Sequence, residues 1–179
     1  LSVEEILIKS ASDLIDLDHP NYQYVAARLL LFSTRKSLYG RMRDLPPLRD
    51  HIMNCTGINV YDFAIYDKYN LEEINQADSW LDHDRDYLFT YAGLRQVVDK
   101  YLVQDRSTGA LYESPQFMYL LISASIFSKY SPEIRLDYVK KYYDAISKHR
   151  INIPTPIMAG VRTPLRQYAS CVLVDIDDT

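Results

Sequence analysis

The sequence is poor in cysteine: Cys55 and Cys171 are the only two among 179 residues, and they lie far apart. Two cysteines are too few for the disulfide framework of a small secreted domain. They are also too few for a typical structural zinc site, which draws several of its ligands from cysteine. A cytoplasmic setting, where thiols stay reduced, fits this usage best.

The sequence also lacks an excess of positive charge and a long apolar run. Its net charge is −4, so a general nucleic-acid surface and direct DNA binding are not expected. No apolar stretch approaches the roughly 20 residues that span a bilayer. We therefore expect no membrane association. The N-terminus is acidic, so no signal peptide is expected, and Leu1 in place of Met suggests a trimmed or spliced start.

Several familiar catalytic motifs are missing as well. The chain has no glycine-rich phosphate loop, no HExxH metal motif and no serine-triad pattern. Residues 82–86 read DHDRD and suggest either a metal or acid/base site or a salt-bridged structural cluster. Neighbouring side chains point in different directions, so most of them cannot converge on one ion. The pattern favours the structural cluster, and we predict no metal site.

What the sequence does contain is helical periodicity. Apolar residues at Ile6, Leu7, Leu14 and Ile15 predict a helix within 3–17. Lys36, with Arg35, sits in the last turns of the next helix, where positive charge complements the helix dipole. The other predicted helices span 22–39 (ended by Gly40), 46–57, a short segment capped by Asn70 and Glu73, 88–99, 115–129 and 131–148.

Two segments predict β-structure. Residues 101–104 and 110–112 flank a turn that contains Gly109, which is typical of a β-hairpin. Residues 170–176 alternate little in polarity and predict a central strand buried on both faces, as in an α/β barrel. The connecting segment 153–164 is predicted to be extended and rich in turns. The predicted fold is mainly α, with this hairpin and one barrel strand.

Polar residues of the last segment are the candidates for chemistry. Cys171 opens the predicted strand and is either a redox or nucleophilic thiol or a packed apolar residue. Thr155 lies between two prolines, which hold its hydroxyl in a fixed place for a phosphate or for a turn cap. Ser170 precedes the cysteine. Carboxylates after the strand, Asp178 among them, are either ligand-binding or part of a solvated loop.

The string PTPIMAGVRTPLRQYASCVL resembles the substrate site of the large subunit of class I ribonucleotide reductase. The strings YLVQDRSTGALYESPQFMYLLISASIF, LDYVKKYYDAIS, LDHDRDYLFTYAGLRQ and PNYQYVAARLLLFSTRKSLYG resemble the same subunit in the same order. The resemblance covers essentially the whole chain. It implies an N-terminal portion of that subunit: the tail of an ATP-cone region (1–40), a helical domain (41–168) and the first barrel strand (169–179).

The resemblance implies roles for individual residues. Cys171 matches the first cysteine of the reducing dithiol, which ends as a disulfide with a later cysteine. Thr155 matches the threonine that binds substrate phosphate, and Ser170 lies beside the substrate. Asp178 matches an acidic residue of the specificity site, which recognises an effector deoxynucleotide. Lys36 matches a lysine that contacts the nucleotide of the ATP-cone.

The resemblance also implies partners. The chain would bind no cofactor itself, while a separate small subunit would supply the radical from a diiron or dimanganese centre. Other expected partners are the remainder of the large subunit, a ribonucleoside diphosphate substrate, ATP or deoxynucleotide effectors, and thioredoxin or glutaredoxin as reductant. The alternatives are a catalytically inert helical interaction module and a nucleotide-regulatory module derived from the same family.

Overall fold

The computed structural model describes residues 2–165, 167–171 and 173–174, and this part of the chain is mainly helical. Besides its α-helices it contains a 3₁₀ helix at His83–Leu88 and a π-helical turn at Val97–Tyr101. The α-helices are α1 (Val3–Asp13), α2 (Tyr22–Tyr39), α3 (Leu48–Gly57), α4 (Phe63–Lys68), α5 (Leu71–Asp78), α6 (Tyr91–Gln96), α7 (Pro115–Phe127), α8 (Pro132–Ser147) and α9 (Thr155–Gly160).

Local signals set most helix boundaries where the sequence predicts them. Gly40 ends α2 in a left-handed conformation, with φ of 68°, and its N–H donates to the carbonyl of Lys36. The Asn70 side chain caps α5 by accepting from the Glu73 N–H, and the Glu73 carboxylate accepts from the Asn70 N–H, which confirms the predicted capping box. Helix α4, which the sequence analysis did not predict, is capped by Asp62, whose side chain accepts from the N–H of Ala64.

The core of the molecule is built around α7. All residues from Pro115 to Ala124 are buried, because other elements cover this helix on every side. Helix α8 packs directly against α7, and α4, α9 and the 3₁₀ helix also contact α7. Helix α1 packs on α2, and α2 packs on α6.

The predicted β-hairpin is not confirmed. Residues 103–112 fold back on themselves, yet the described residues contain only one isolated antiparallel bridge, between Gln104 and Leu111. A hairpin this short gains little from its ladder without a third strand beside it. Gly109 adopts φ of 74°, so the expected role of glycine in the turn is confirmed.

The C-terminal segment differs from the prediction in two ways. The segment predicted to be extended contains α9, because Pro154 and Pro156 fit the cap and first turn of a helix. The barrel strand is not confirmed: residues 170, 171, 173 and 174 are exposed and form no strand. The rest of 170–176 and Asp178 lie outside the described residues. A central strand needs neighbours on both sides for its backbone hydrogen bonds.

Within the described part of the chain, no helix is both long and apolar enough to cross a membrane. The domain boundaries at 40/41 and 168/169 stay predictions.

Candidate functional site

An open groove of about 560 Å³ lies beside α9. It is lined on one side by the helix and on the other by the segment that follows it. The lining residues are Thr155, Pro156, Ala159, Gly160, Leu165, Gln167, Ala169 and Ser170. Two of the predicted substrate-binding residues, Thr155 and Ser170, are therefore brought together although they lie 15 positions apart in the printed sequence.

Thr155 is the first residue of α9 and its side chain is exposed. Pro154 and Pro156 flank it and fix their own φ angles, which restricts the backbone on both sides of the threonine. The Thr155 Oγ1 atom lies 3.4 Å from the hydroxyl oxygen of Tyr101. The hydroxyl is thus held at the wall of the groove and remains open to it.

Ser170 lines the other side of the groove, and Cys171 is the next residue in the chain. Both are exposed, and the Ser170 Oγ atom lies 3.8 Å from the Cys171 Sγ atom. Cys171 is a free thiol. An exposed thiol next to a hydroxyl-lined groove can meet a bound ligand or a second thiol, whereas a packed cysteine cannot.

Cys55 is the contrasting case. It is buried in α3, and its thiol points to the carbonyl oxygen of Tyr112 at 3.7 Å. Burial raises the pKa of this thiol to about 12, with the nearby Glu113 carboxylate acting in the same direction. Because the thiolate is the reactive form, Cys55 is a packing residue.

Helix α9 is anchored by a buried ion pair that the sequence analysis did not find. Arg162 and Glu113 are both fully buried, and Arg162 Nε lies 2.9 Å from Glu113 Oε2. The Arg162 guanidinium also donates to the carbonyls of Met158 and Tyr101. These contacts use most donors of the guanidinium and tie α9 to the π-helical turn.

Two further groups complete the hydrogen bonding of Glu113. The N–H of Val103 donates to Oε1 at 2.8 Å, and the Tyr61 hydroxyl donates to Oε2 at 2.6 Å. The Tyr61 oxygen then accepts from His51 Nε2 at 2.8 Å, which places the proton of neutral His51 on that nitrogen. Burial lowers the pKa of His51 to about 4, so the ring is neutral near pH 7.

A second buried network joins α2 to the 3₁₀ helix. Arg35 Nη2 donates to Asp86 Oδ2 at 2.7 Å and to the carbonyl of His83 at 2.6 Å. Gln116 donates to the other Asp86 oxygen, and Tyr143 donates to Gln116. Burial raises the pKa of Asp86 to about 6, against the opposing effect of Arg35. Arg35 is therefore a buried partner of Asp86, which corrects its predicted role at the helix terminus.

The DHDRD segment is a structural cluster, as the sequence analysis favours. Its Arg85 pairs with Asp82 and with Asp144 of α8. Burial lowers the pKa of His83 to about 4. Among the residues that the structure describes, no group of three or more His, Cys, Asp and Glu side chains could hold a metal ion.

Lys36 does not line the groove. Its Nζ atom lies 2.5 Å from Glu4 Oε1, so the lysine joins α2 to α1 on an exposed surface. This ion pair lowers the pKa of Glu4. The other predicted effector-binding residue, Asp178, lies outside the described residues.

The buried ion pair of Glu113 and Arg162 was not predicted because both side chains are charged. Sequence reasoning assigns charged residues to the surface, since they are almost never fully buried unless they are paired. The pairing partners here lie 49 positions apart. The local sequence contains no signal of such a pair, although Glu113 lies two residues before the apolar helix α7.

Comparison with known proteins gives consistent matches. The family described as "Ribonucleotide reductase, all-alpha domain" matches residues 87–166. The chain is 54% identical to ribonucleoside-diphosphate reductase subunit alpha of Haemophilus influenzae over 177 residues. This alignment covers 99% of this chain and 23% of that protein. It is 50% identical to ribonucleoside-diphosphate reductase 1 subunit alpha of Escherichia coli, and this alignment also covers 99% of this chain and 23% of that protein.

A more distant relative aligns over the same extent. The alpha subunit of Treponema pallidum is 29% identical over 177 residues, which is 98% of this chain and 21% of that protein. The chain thus spans less than a quarter of the length of these curated relatives.

Proposed function

Because the chain belongs to the family of ribonucleoside-diphosphate reductase alpha subunits, we propose that it contributes the substrate groove and one redox thiol to such an enzyme. The observation that carries the proposal is the groove beside α9, where Thr155 and Ser170 face one space and Cys171 adjoins Ser170. In this proposal the substrate is a ribonucleoside diphosphate and the product is the corresponding deoxyribonucleotide.

The proposed reaction replaces the ribose 2′-hydroxyl by hydrogen. Two thiols supply the two electrons: they become one disulfide, the 2′-oxygen leaves as water, and the 2′-carbon gains hydrogen. Cys171 is one thiol, and the second comes from outside this chain, since Cys55 is buried and stays protonated. Thioredoxin or glutaredoxin then reduces the disulfide, in the reducing cytoplasm where we place the enzyme.

Thr155 and Ser170 have binding roles in this proposal. A hydroxyl donates its proton to a phosphate oxygen, and a hydrogen bond to a charged acceptor is stronger than a neutral one. The wall around the Thr155 hydroxyl is neutral, so backbone N–H groups and hydroxyls hold the diphosphate. Asp178 and Lys36 are proposed to contact effector nucleotides, with Lys36 released from Glu4 when it does so.

The proposal assigns the radical chemistry to a partner. A separate small subunit with a dinuclear metal centre supplies the radical, and the remainder of the alpha subunit supplies the other active-site residues. The residues of this chain bind, orient and deliver one thiol. A catalytically inert helical interaction module is the competing function, and it requires neither an exposed thiol nor a groove with convergent hydroxyls.

A chimeric alpha subunit tests the proposal. In it, this chain replaces the matching 177 residues of the Haemophilus influenzae subunit, and the chimera is assembled with the small subunit of that organism. We expect turnover of cytidine diphosphate with thioredoxin. Cys171→Ser should abolish multiple turnover while the dissociation constant for cytidine diphosphate stays within about twofold.

Cys55→Ser is the matched control. It can lower stability by about 1 kcal/mol, because it buries a hydroxyl, but turnover per folded molecule should persist. Normal turnover of the Cys171→Ser chimera, or an assembled parent chimera without turnover, would contradict the proposal.

A further inference from the structure

Tyr101 lies at the junction of the π-helical turn and α9. Its carbonyl oxygen accepts from Arg162 Nη2 at 2.8 Å, and the same guanidinium donates to the carbonyl of Met158 inside α9. Arg162 is fully buried and paired with Glu113. A buried, charge-neutralised guanidinium thus holds the backbone of Tyr101 against the helix that carries Thr155.

Three side chains form a line of hydrogen bonds from this junction to the groove. Gln96 Nε2 donates to the Tyr101 hydroxyl oxygen at 3.2 Å. That oxygen lies 3.4 Å from Thr155 Oγ1. Thr155 lines the groove.

The contact between the two hydroxyls allows either to donate, and the hydrogen bond from Gln96 favours Tyr101 as the donor. An amide N–H can only donate, so the Tyr101 oxygen accepts from Gln96 and its own proton is free to go to Thr155. Thr155 Oγ1 then acts as acceptor toward Tyr101, which leaves the Thr155 proton for a partner in the groove. Successive hydrogen bonds in one direction polarise one another and strengthen the last donor.

We propose that Gln96 and Tyr101 are positioning residues that aim the Thr155 O–H into the groove as a donor to an anionic phosphate oxygen. This inference rests on the proposed function, in which Thr155 binds the substrate diphosphate. Neither Gln96 nor Tyr101 touches the ligand. Their effect passes through the orientation of one hydroxyl, so they act on affinity and leave the chemical step unchanged.

Two substitutions in the chimeric subunit test the relay. Tyr101→Phe removes the hydroxyl but keeps the ring. Gln96→Glu replaces the amide donor by a carboxylate, which accepts a hydrogen bond from the Tyr101 hydroxyl and so leaves the Tyr101 oxygen to accept from Thr155. We expect each to raise both KM and the dissociation constant for cytidine diphosphate about 3- to 10-fold, with kcat within about twofold.

The added charge of Gln96→Glu needs its own control. Gln76→Glu makes the same change on the exposed surface of α5, away from the groove, and should leave KM and kcat at parent values. The double variant Tyr101→Phe/Gln96→Glu should have a dissociation constant for cytidine diphosphate within about twofold of that of Tyr101→Phe alone. A full additional rise would mean that the carboxylate repels the diphosphate directly, and this would overturn the relay.

Thr155→Val separates the relay from the proposed function. If Thr155→Val leaves the dissociation constant at the parent value, the phosphate role of Thr155 fails. If Thr155→Val weakens binding while Tyr101→Phe and Gln96→Glu do not, the relay alone fails. The dissociation constant is measured by titration calorimetry without turnover, and unchanged melting temperatures of the variants exclude a folding effect.

Discussion

His51 shows how one buried residue acquires a chemistry that its type does not predict. It stacks on Phe117, with ring centroids 4.0 Å apart, and donates to Tyr61. Desolvation disfavours the imidazolium, and this lowers the pKa of His51 to about 4. At neutral pH the ring is therefore a neutral donor that holds Tyr61 in place beside Glu113.

This shift predicts a pH-dependent stability. Between pH 6.5 and about 4 the unfolded chain binds a proton at His51 and the folded chain does not. The contribution of neutral His51 to the free energy of unfolding is therefore complete above pH 6.5 and is lost as the pH falls toward 4, at up to about 1.4 kcal/mol per pH unit. Urea unfolding of the chain at several pH values measures it.

His51→Gln keeps an N–H donor for Tyr61 and cannot titrate. The difference in the free energy of unfolding between parent and variant should shrink or change sign as the pH falls. His83 and Asp86 also titrate with shifted pKa values, but both are present in parent and variant, so their effects cancel in the difference. A difference that is flat from pH 7 to 4.5 would contradict the assignment of His51.

At the scale of single elements, helix ends are set by backbone conformation. Gly40 ends α2 with φ of 68°, whereas Gly57 is the last residue of α3 and carries no positive φ. A Cβ atom at either position would meet nothing within 4 Å. The two glycines therefore differ in backbone conformation while their space for a side chain is equal.

This pair gives a prediction with an internal control. Gly40→Ala should lower the free energy of unfolding by about 1 kcal/mol, because alanine is strained in the left-handed region. Gly57→Ala should leave it unchanged or raise it by up to about 1 kcal/mol, since alanine favours the helix. Urea denaturation of both variants measures the difference, and equal effects would show that backbone conformation at Gly40 is not what ends α2.

At the scale of the whole molecule, buried ion pairs connect segments that are distant in the chain. Arg35 with Asp86, Glu73 with Arg135, and Glu113 with Arg162 each bridge about 50 or more positions. Removing one partner would leave a buried charge uncompensated, which costs about 3–5 kcal/mol. The pair of Glu113 with Arg162 also anchors α9, the helix that lines the groove, through the Met158 carbonyl.

The whole chain also makes a prediction about activity. We expect the isolated chain to form no deoxyribonucleotide from cytidine diphosphate, even with a radical-generating small subunit and dithiothreitol. The reason is that the proposed reaction needs two accessible thiols, and Cys55 is buried. Chromatography of the nucleotides after incubation measures this, with a complete Escherichia coli alpha subunit as positive control. Product above background would contradict the proposed division of roles.

Features that depend on neighbouring residues could be predicted from the sequence. The bounds of α2, the glycine that ends it and the capping box of Asn70 and Glu73 all depend on residues within a few positions of one another. That Thr155 and Ser170 line the same groove could be expected only from the family resemblance. The prolines around Thr155 misled the prediction, since the same residues that break a helix interior also start one.

The partners of the buried charges and the structure of the predicted β-segments depend on contacts between distant parts of the chain. The burial of Arg35 and Arg162 could not be predicted from neighbouring residues, because their carboxylate partners lie about 50 positions away in the sequence. A hairpin or strand is stable only beside other strands, and residues 103–112 have none within the described chain. A helix forms its backbone hydrogen bonds between residues that are close in the sequence, so it can be predicted from a local pattern. Ion pairs and sheets need partners from distant parts of the chain, and these are brought together only in the folded molecule.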